Sequence, residues 1–432
     1  MNSETVPSVV GRGAPELDLS AAELRAIVER GLARIEPGSR VLAIIPDKTR
    51  DDNTALLFPF AAEILAARRV AQLDALVAQG THAPMTTAEK RAKIGARGGA
   101  AISCLGQVFD HRWDQPDELV RIGELSAERV RKVTGGLLDR AIPLTINRLL
   151  SPGLYDTALI FGGTVPHEVA GFAGGAKYFF PGVAGPELTH ATHWLGALAT
   201  VEAVIGHVET PTRHLFEAAA DFVPARVISF TTVVTRDADD RLRTHALFAG
   251  DFRAALRRAA EVSRHVHIKY TGRKYARVIA LLDEHYDELW VGGKASYRLG
   301  PVIEEGGELI IYAPHLRCIS ETHGRLIERY GYAPLEVVRE LVAQSAELEE
   351  NLCVAAHLTQ VAFAGRREES GRIVPRYHIT MATSIDEATC RRVNLGYMDY
   401  REFRRKDYES DPDALIVERA GRDLYLVEER AT

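Results

Sequence analysis

From residue 21 to residue 381 the chain alternates short β-rich apolar runs with longer segments whose apolar residues recur three and four positions apart. The runs at 41–45, 73–77, 158–161, 227–234, 278–282, 288–291, 309–313 and 377–381 read as strands. Those at 21–35, 54–68, 87–96, 212–222, 252–262, 296–304 and 334–346 read as helices. A strand that must be followed by a helix before the next strand pairs parallel to its neighbour, so the pattern predicts α/β architecture with mostly parallel sheets. Parallel strands carry their carboxyl ends to one edge, and ligands bind in the loops there.

At 432 residues the chain exceeds what one hydrophobic core comfortably holds. Two α/β domains with an active-site cleft between them are expected. The polar, basic, glycine-containing stretch 263–276 marks the boundary, giving an N-terminal domain 1–272, a C-terminal domain 273–409 and a terminal segment 410–432 that can pack back on the first. Lys and Arg number 53 against 59 Asp and Glu, a net charge of −6, which argues against nucleic acid as a partner. The four cysteines, Cys104, Cys318, Cys353 and Cys390, form no CxxC pair, which points away from disulfides and thiolate zinc and toward a reducing cytoplasm. Neither a signal peptide nor a membrane span is read: the longest apolar run, 56–67, is interrupted by Pro59 and Glu63.

Three first-domain strands run into loops rich in functional groups: PDKTR at 46–50, THAP at 81–84, and GGTVPHEVAGFAGGAKYFFPGVAG at 162–185. They offer Arg50, His82 and His167. Singly, each has an ordinary reading as a salt-bridged arginine, a helix-capping histidine or a histidine bonded to a carbonyl. Their shared position after strands argues instead for a guanidinium and two imidazoles serving an anionic substrate that undergoes proton transfer. The third loop holds seven glycines in 24 residues, a density that implies positive φ or close approach, and amides freed in this way cradle phosphate. Lys177 stands at its end. The loop matches neither GxGxxG with a following acidic residue nor GxxxxGK[ST]. In PELTHATHWLGAL (186–198), His190 and His193 are three apart on one helical face. That pair leaves open a zinc-dependent hydrolase, although carboxylate or thiolate partners are not evident nearby.

Taken together, PDKTR (46–50), GTHAP (80–84), HEVAGFAGGAKYFFPGVAG (167–185), THATHWLG (189–196) and GGKA (292–295) resemble the nickel-dependent lactate racemase family. The resemblance implies a nickel-pincer nucleotide tethered through a thioamide to Lys177, with His193 supplying the remaining nickel ligand, Gly171, Gly174 and Gly175 beside the nucleotide and Asp47 near its ribose. It implies a racemase or epimerase acting on a small 2-hydroxy acid by hydride transfer, loaded by cofactor-synthesis proteins. His82 and His167 would be the acid/base pair, Arg50 the carboxylate clamp, and Lys294 a lysine facing substrate across the interdomain cleft. The chain departs from the family pattern at Asp51-Asp52, in place of proline, and in the stretch before Lys294, Leu289-Trp290-Val291-Gly292-Gly293, which lacks the family's tyrosine–glutamine pair. Trp290, with Tyr297 and Arg298, would then shape a pocket for malate, an aryl lactate or a sugar acid such as gluconate. A non-catalytic binder of anionic sugars is the remaining alternative.

Overall fold

The computed structural model describes residues 9–96 and 101–429, and it divides by contacts into two compact units. The first comprises the chain up to Val165, Phe172–Thr192 and Val208–Val266; the second comprises Pro166–Gly171, His193–His207 and His267 onward. Both are α/β.

The first unit is built on a seven-stranded sheet in the order Val9–Gly13, Leu242–Gly250, Arg226–Arg236, Thr157–Gly163, Arg40–Pro46, Gln72–Ala78, Leu105–Asp110. The last five are mutually parallel, and the first two extend the sheet antiparallel. Side chains alternate faces along each strand. Leu247 and Ala249 join one core with Leu24, Ile27 and Val28 of helix Ala21–Gly31 and Phe58 and Leu65 of helix Thr54–Ala67. Ala246 and Phe248 join another with Ala255, Ala259 and Val262 of helix Phe252–His267. Local sequence fixes the helix starts: Ser20 with Glu23, and Thr86 with Glu89, form reciprocal capping boxes.

The second unit holds a five-stranded, all-parallel sheet in the order Gly396–Asp399, His378–Thr383, Ile303–Ala313, Tyr275–Leu281, Ala414–Val417. The terminal segment, which the sequence allowed to return to the first domain, pairs here instead. Ala414–Val417 completes this sheet, and Leu424–Leu426 pairs with Ile268–Tyr270. The contact boundary falls after Val266, and two pieces of the sequence-assigned first domain go to the second unit. Hydrogen bonds explain why: the Arg298 guanidinium donates to the Pro166 carbonyl at 3.0 Å, the Gly206 amide to Gly171 O at 2.9 Å, and Arg376 reaches Glu202 at 3.5 Å.

Two expected elements differ. The run 288–291 is helical, Leu289–Gly292, its turn closed by the Gly292 amide on Glu288 O and the Gly293 amide on Leu289 O; an apolar run this short does not reveal its period. The helix expected over 296–304 ends at Leu299, where Gly300 and Pro301 lead into the strand Ile303–Ala313. Helix Leu352–Ala362 escaped the periodicity reading because every residue in it is buried, which leaves no polar face. Among the described residues, no helix is long and apolar enough to cross a membrane.

In the first sheet Phe161 and Phe230 are register partners on neighbouring parallel strands, stacked with centroids 5.0 Å apart and planes at 11°, with Phe58 at 5.9 Å from Phe161. All three are buried. Phe161→Ala should lower unfolding free energy by about 3–5 kcal/mol in a urea titration; a loss below about 1 kcal/mol would show that this stack is not central to the core.

Candidate active site

Three adjacent strands of the first sheet, Thr157–Gly163, Arg40–Pro46 and Gln72–Ala78, run parallel, and Pro46 is level with Ala78. Their carboxyl ends therefore release the Asp47–Arg50 and Gln79–His82 loops side by side. Asp47 is buried and fully bonded: Oδ1 accepts from the Thr49 amide at 2.8 Å and from the Thr49 hydroxyl, and Oδ2 lies 2.8 Å from His82 Nδ1. Burial alone would raise its pKa, but His82, Arg50 and Thr49 outweigh that and hold the carboxyl far below the usual range. A carboxylate only accepts, so His82 carries a proton on Nδ1, and in the neutral ring the lone pair is then on Nε2. Both Asp47 oxygens serve this loop pair and orient His82.

Arg50 follows on the same turn, its amide bonded to Asp47 O at 3.4 Å and its carbonyl accepting from Lys93 Nζ at 2.9 Å. The two acids that depart from the family pattern have structural work. Asp51 pairs with Arg236 at 2.7 Å; Asp52 pairs with Lys93 at 2.7 Å and accepts the Thr54 amide at the start of the next helix. They brace the loop that presents Arg50.

The glycine-rich segment is tied to these loops within the same unit. The Gly80 amide bonds Gly182 O at 2.9 Å, the Asn147 amide bonds Val183 O at 2.8 Å, and His111 Nε2 lies 2.9 Å from Ala184 O. Burial depresses the His111 pKa to about 4, so this ring is a neutral brace. Lys177 sits half-buried on a 3-10 turn, Gly175–Tyr178, its amide on Gly174 O at 3.4 Å and its carbonyl held by the Gly182 amide at 3.1 Å. Gly162 must be glycine, because a Cβ there would lie 1.8 Å from the Tyr178 hydroxyl. Gly174, at φ +102°, would set a Cβ 2.9 Å from Thr164 Oγ1, and Gly175, at φ +61°, one 3.2 Å from Leu256. The positive φ and close approach read from the glycine density are present at these positions. Their glycines serve left-handed backbone and close packing, which fixes the turn that displays Lys177.

In the second unit, His167 is buried and its Nδ1 accepts the Val169 amide at 3.1 Å, with Glu168 at 3.7 Å. This places the proton of the neutral ring on Nε2, the opposite tautomer to His82. His193 is half-buried on helix Pro186–Leu198 and acts electrostatically on His357. Trp290 lies flat on the His357 ring, centroids 4.1 Å apart and planes at 7°, and its carbonyl takes a hydrogen bond from His357 Nε2 at 3.0 Å. The His323 ring also meets Trp290, with centroids 4.4 Å apart and planes tilted by 38°. Lys294 opens helix Lys294–Leu299 with Nζ 5.4 Å from the Tyr286 ring centroid. Tyr297 and Arg298, expected to shape the pocket with Trp290, are buried, and the Arg298 guanidinium is bonded to the carbonyls of Pro166 and Arg422. Trp290's partner His357, 67 positions away, carried no local sequence signal.

For the hydrolase alternative, His190 faces Trp113 edge-on at 6.3 Å, and burial lowers its pKa. Among the described residues, no group of three or more His, Cys, Asp and Glu could hold a metal by itself. A pincer nucleotide asks less of the protein: one amine for the tether and one imidazole. Within the first unit, Lys177, on a turn whose backbone is bonded on both sides, fits the first.

Residues 22–206 match the family model described as the lactate racemase N-terminal domain. Among solved structures, a crystal structure of a protein from Thermotoga maritima is 31% identical over 96% of this chain and 99% of that one, with a TM-score of 0.86. The lactate racemase apoprotein from Thermoanaerobacterium thermosaccharolyticum superposes with a TM-score of 0.68 at 17% identity, covering 97% of this chain and 94% of that one, a likeness of fold. No curated protein matches. Residues 22–206 thus carry a lactate racemase N-terminal domain, which makes the chain a homologue of the lactate racemase family over that region.

Proposed function

We propose that this protein is an isomerase that inverts C2 of a small 2-hydroxy acid, using a nickel-pincer nucleotide carried on Lys177 and ligated by His193. The observation that carries the reading is the Asp47–His82 pair at 2.8 Å, one turn from Arg50, inside the lactate racemase N-terminal domain. When bound, the nucleotide supplies the acceptor and donor for the C2 hydride.

The chain's own residues do the rest. Arg50 holds the substrate carboxylate by its planar fork. His82, with Nδ1–H on Asp47, presents Nε2 to take the hydroxyl proton, and the buried carboxylate stabilises the imidazolium that forms. His167, with Nδ1 on the Val169 amide, presents an Nε2–H. One ring is set as acceptor and the other as donor, which suits a reaction whose product has the opposite hand. Lys294 adds positive charge for the anion. Trp290, clamped on His357, is the wall that separates this chain from a lactate-sized pocket, so malate, aryl lactates and sugar acids head the substrate panel. Proteins that synthesise the pincer nucleotide would load it.

Protein produced alongside pincer synthesis should carry an adduct on Lys177 by intact mass and exchange C2 stereochemistry of at least one acid in that panel, while His82→Ala and His167→Ala lose turnover. An unmodified Lys177 with full activity would sink the reading. If Lys177→Ala left acid binding unchanged in a protein with no turnover, the non-catalytic binder would be favoured.

Asp47→Asn should cut kcat by about 10²–10⁴, because the amide no longer fixes the His82 tautomer or charge, with KM little changed. It also carries a pH signature. A carboxyl whose pKa is depressed on folding stabilises the fold above its unfolded pKa, near 3.8, and loses that contribution as pH falls further. The stability gap between wild type and Asp47→Asn in urea titrations should therefore narrow between pH 5 and pH 3; a constant gap would contradict the buried-anion assignment.

Arg50→Lys should raise KM about tenfold or more, with a smaller change in kcat, since a point charge loses the two-point grip. Steady-state kinetics showing an unchanged KM would remove Arg50 from carboxylate binding.

A further inference from the structure

The glycine segment leans on a residue that neither the family motifs nor the mechanism uses. Arg213, on helix Pro211–Ala220, is fully buried, yet no carboxylate bonds its guanidinium. Nη1 donates to Gly174 O at 3.0 Å, Nη2 donates to Phe172 O, and Nε is buried with no partner. Glu217 and Glu209 act on it only electrostatically, and they are themselves paired with Arg257. A buried guanidinium held by two carbonyls is a costly arrangement that a methionine could replace if space filling were its only task. The Gly174 carbonyl it holds is the same one that accepts the Lys177 amide. A fork that grips residues 172 and 174 together fixes both sides of the left-handed Gly174, and so fixes where the next turn begins.

We propose that Arg213 is the positioning residue for the lysine anchor: its two N–H groups pin the backbone at Phe172 and Gly174, so that the Gly175–Tyr178 turn presents Lys177 in one arrangement. The inference rests on the reading of Lys177 as the attachment point, but the behaviour it predicts belongs to the chain without any cofactor.

The test is hydrogen exchange by mass spectrometry on the full-length apoprotein, comparing wild type, Arg213→Met, Arg213→Lys and Thr210→Ala. The last variant removes the helix cap that accepts the Arg213 amide at 3.1 Å and leaves the guanidinium in place, so it controls for a loosened helix. Arg213→Met should speed exchange of the 177–182 amides at least about tenfold, while those of strand Thr157–Gly163 stay as in wild type. Thr210→Ala should leave 177–182 unchanged. Arg213→Lys, with one ammonium for two carbonyls, should fall between wild type and Met, and it supplies the reading if the Met variant does not fold. Wild-type exchange at 177–182 in Arg213→Lys or Arg213→Met, or equal acceleration across the unit in either, would overturn the positioning role. Failure of the racemase reading would show in the Lys177 mass and the stereochemical assay, and neither enters this measurement.

Discussion

The site depends on one constraint: parallel strands deliver their carboxyl ends to the same sheet edge. Arg40–Pro46 pairs with Gln72–Ala78 in a register that sets Pro46 opposite Ala78, so the next residues of both chains leave the sheet level with each other. Only this allows a carboxylate one residue beyond the first strand to reach an imidazole four residues beyond the second. A slip of one residue would turn the alternating side chains of the strand to the other face and pull the loops out of step. The aromatic stack of Phe161 on Phe230, inside the same sheet, keeps the neighbouring strand in its place.

Burying Asp47 carries a large desolvation cost, and three partners offset it: His82, Arg50 and Thr49. That accounting also explains the order PDKTR. Thr49 must lie two residues on for its amide and hydroxyl to reach back to Oδ1, a compact turn that leaves Oδ2 for the neighbouring loop. The turn continues into Arg50, whose charge then lies near Asp47 and Tyr178. Asp51 and Asp52, tied to Arg236 and Lys93, hold the far side.

The strands and helices of both sheets were legible wherever apolar residues alternated with a clear period, and so was the edge at which Arg50 and His82 emerge. What escaped has physical causes. Helix Leu352–Ala362 is buried all round and shows no stripe. The run 288–291 is too short to show a period, and the antiparallel edge strand Val9–Gly13 precedes the alternation altogether. At the site, Lys177 was marked by its glycines, but their neighbours were not: density alone does not name Tyr178, Thr164 and Leu256 as the groups that crowd these α-carbons. Asp47's partnership with His82 joins residues 35 apart and depends on strand order, which composition does not contain. Arg213, on a helix with no motif, had no signal at all.

The two histidines illustrate how a fold can set chemistry through hydrogen bonds that leave the reacting atoms alone. His82 meets an acceptor at Nδ1 and His167 meets a donor at Nδ1, so neutral rings of identical chemistry present opposite faces, a lone pair at one Nε2 and a proton at the other. The acceptor is a side chain, Asp47, and can be altered by substitution. The donor is the backbone amide of Val169, which no side-chain change except proline removes. Diversification within such a framework is therefore easier at side chains, such as Trp290 in the stretch before Lys294, than at backbone donors. Trp290 is held by the ring and Nε2 of His357, a rigid aromatic surface in place of flexible hydrogen-bonding groups.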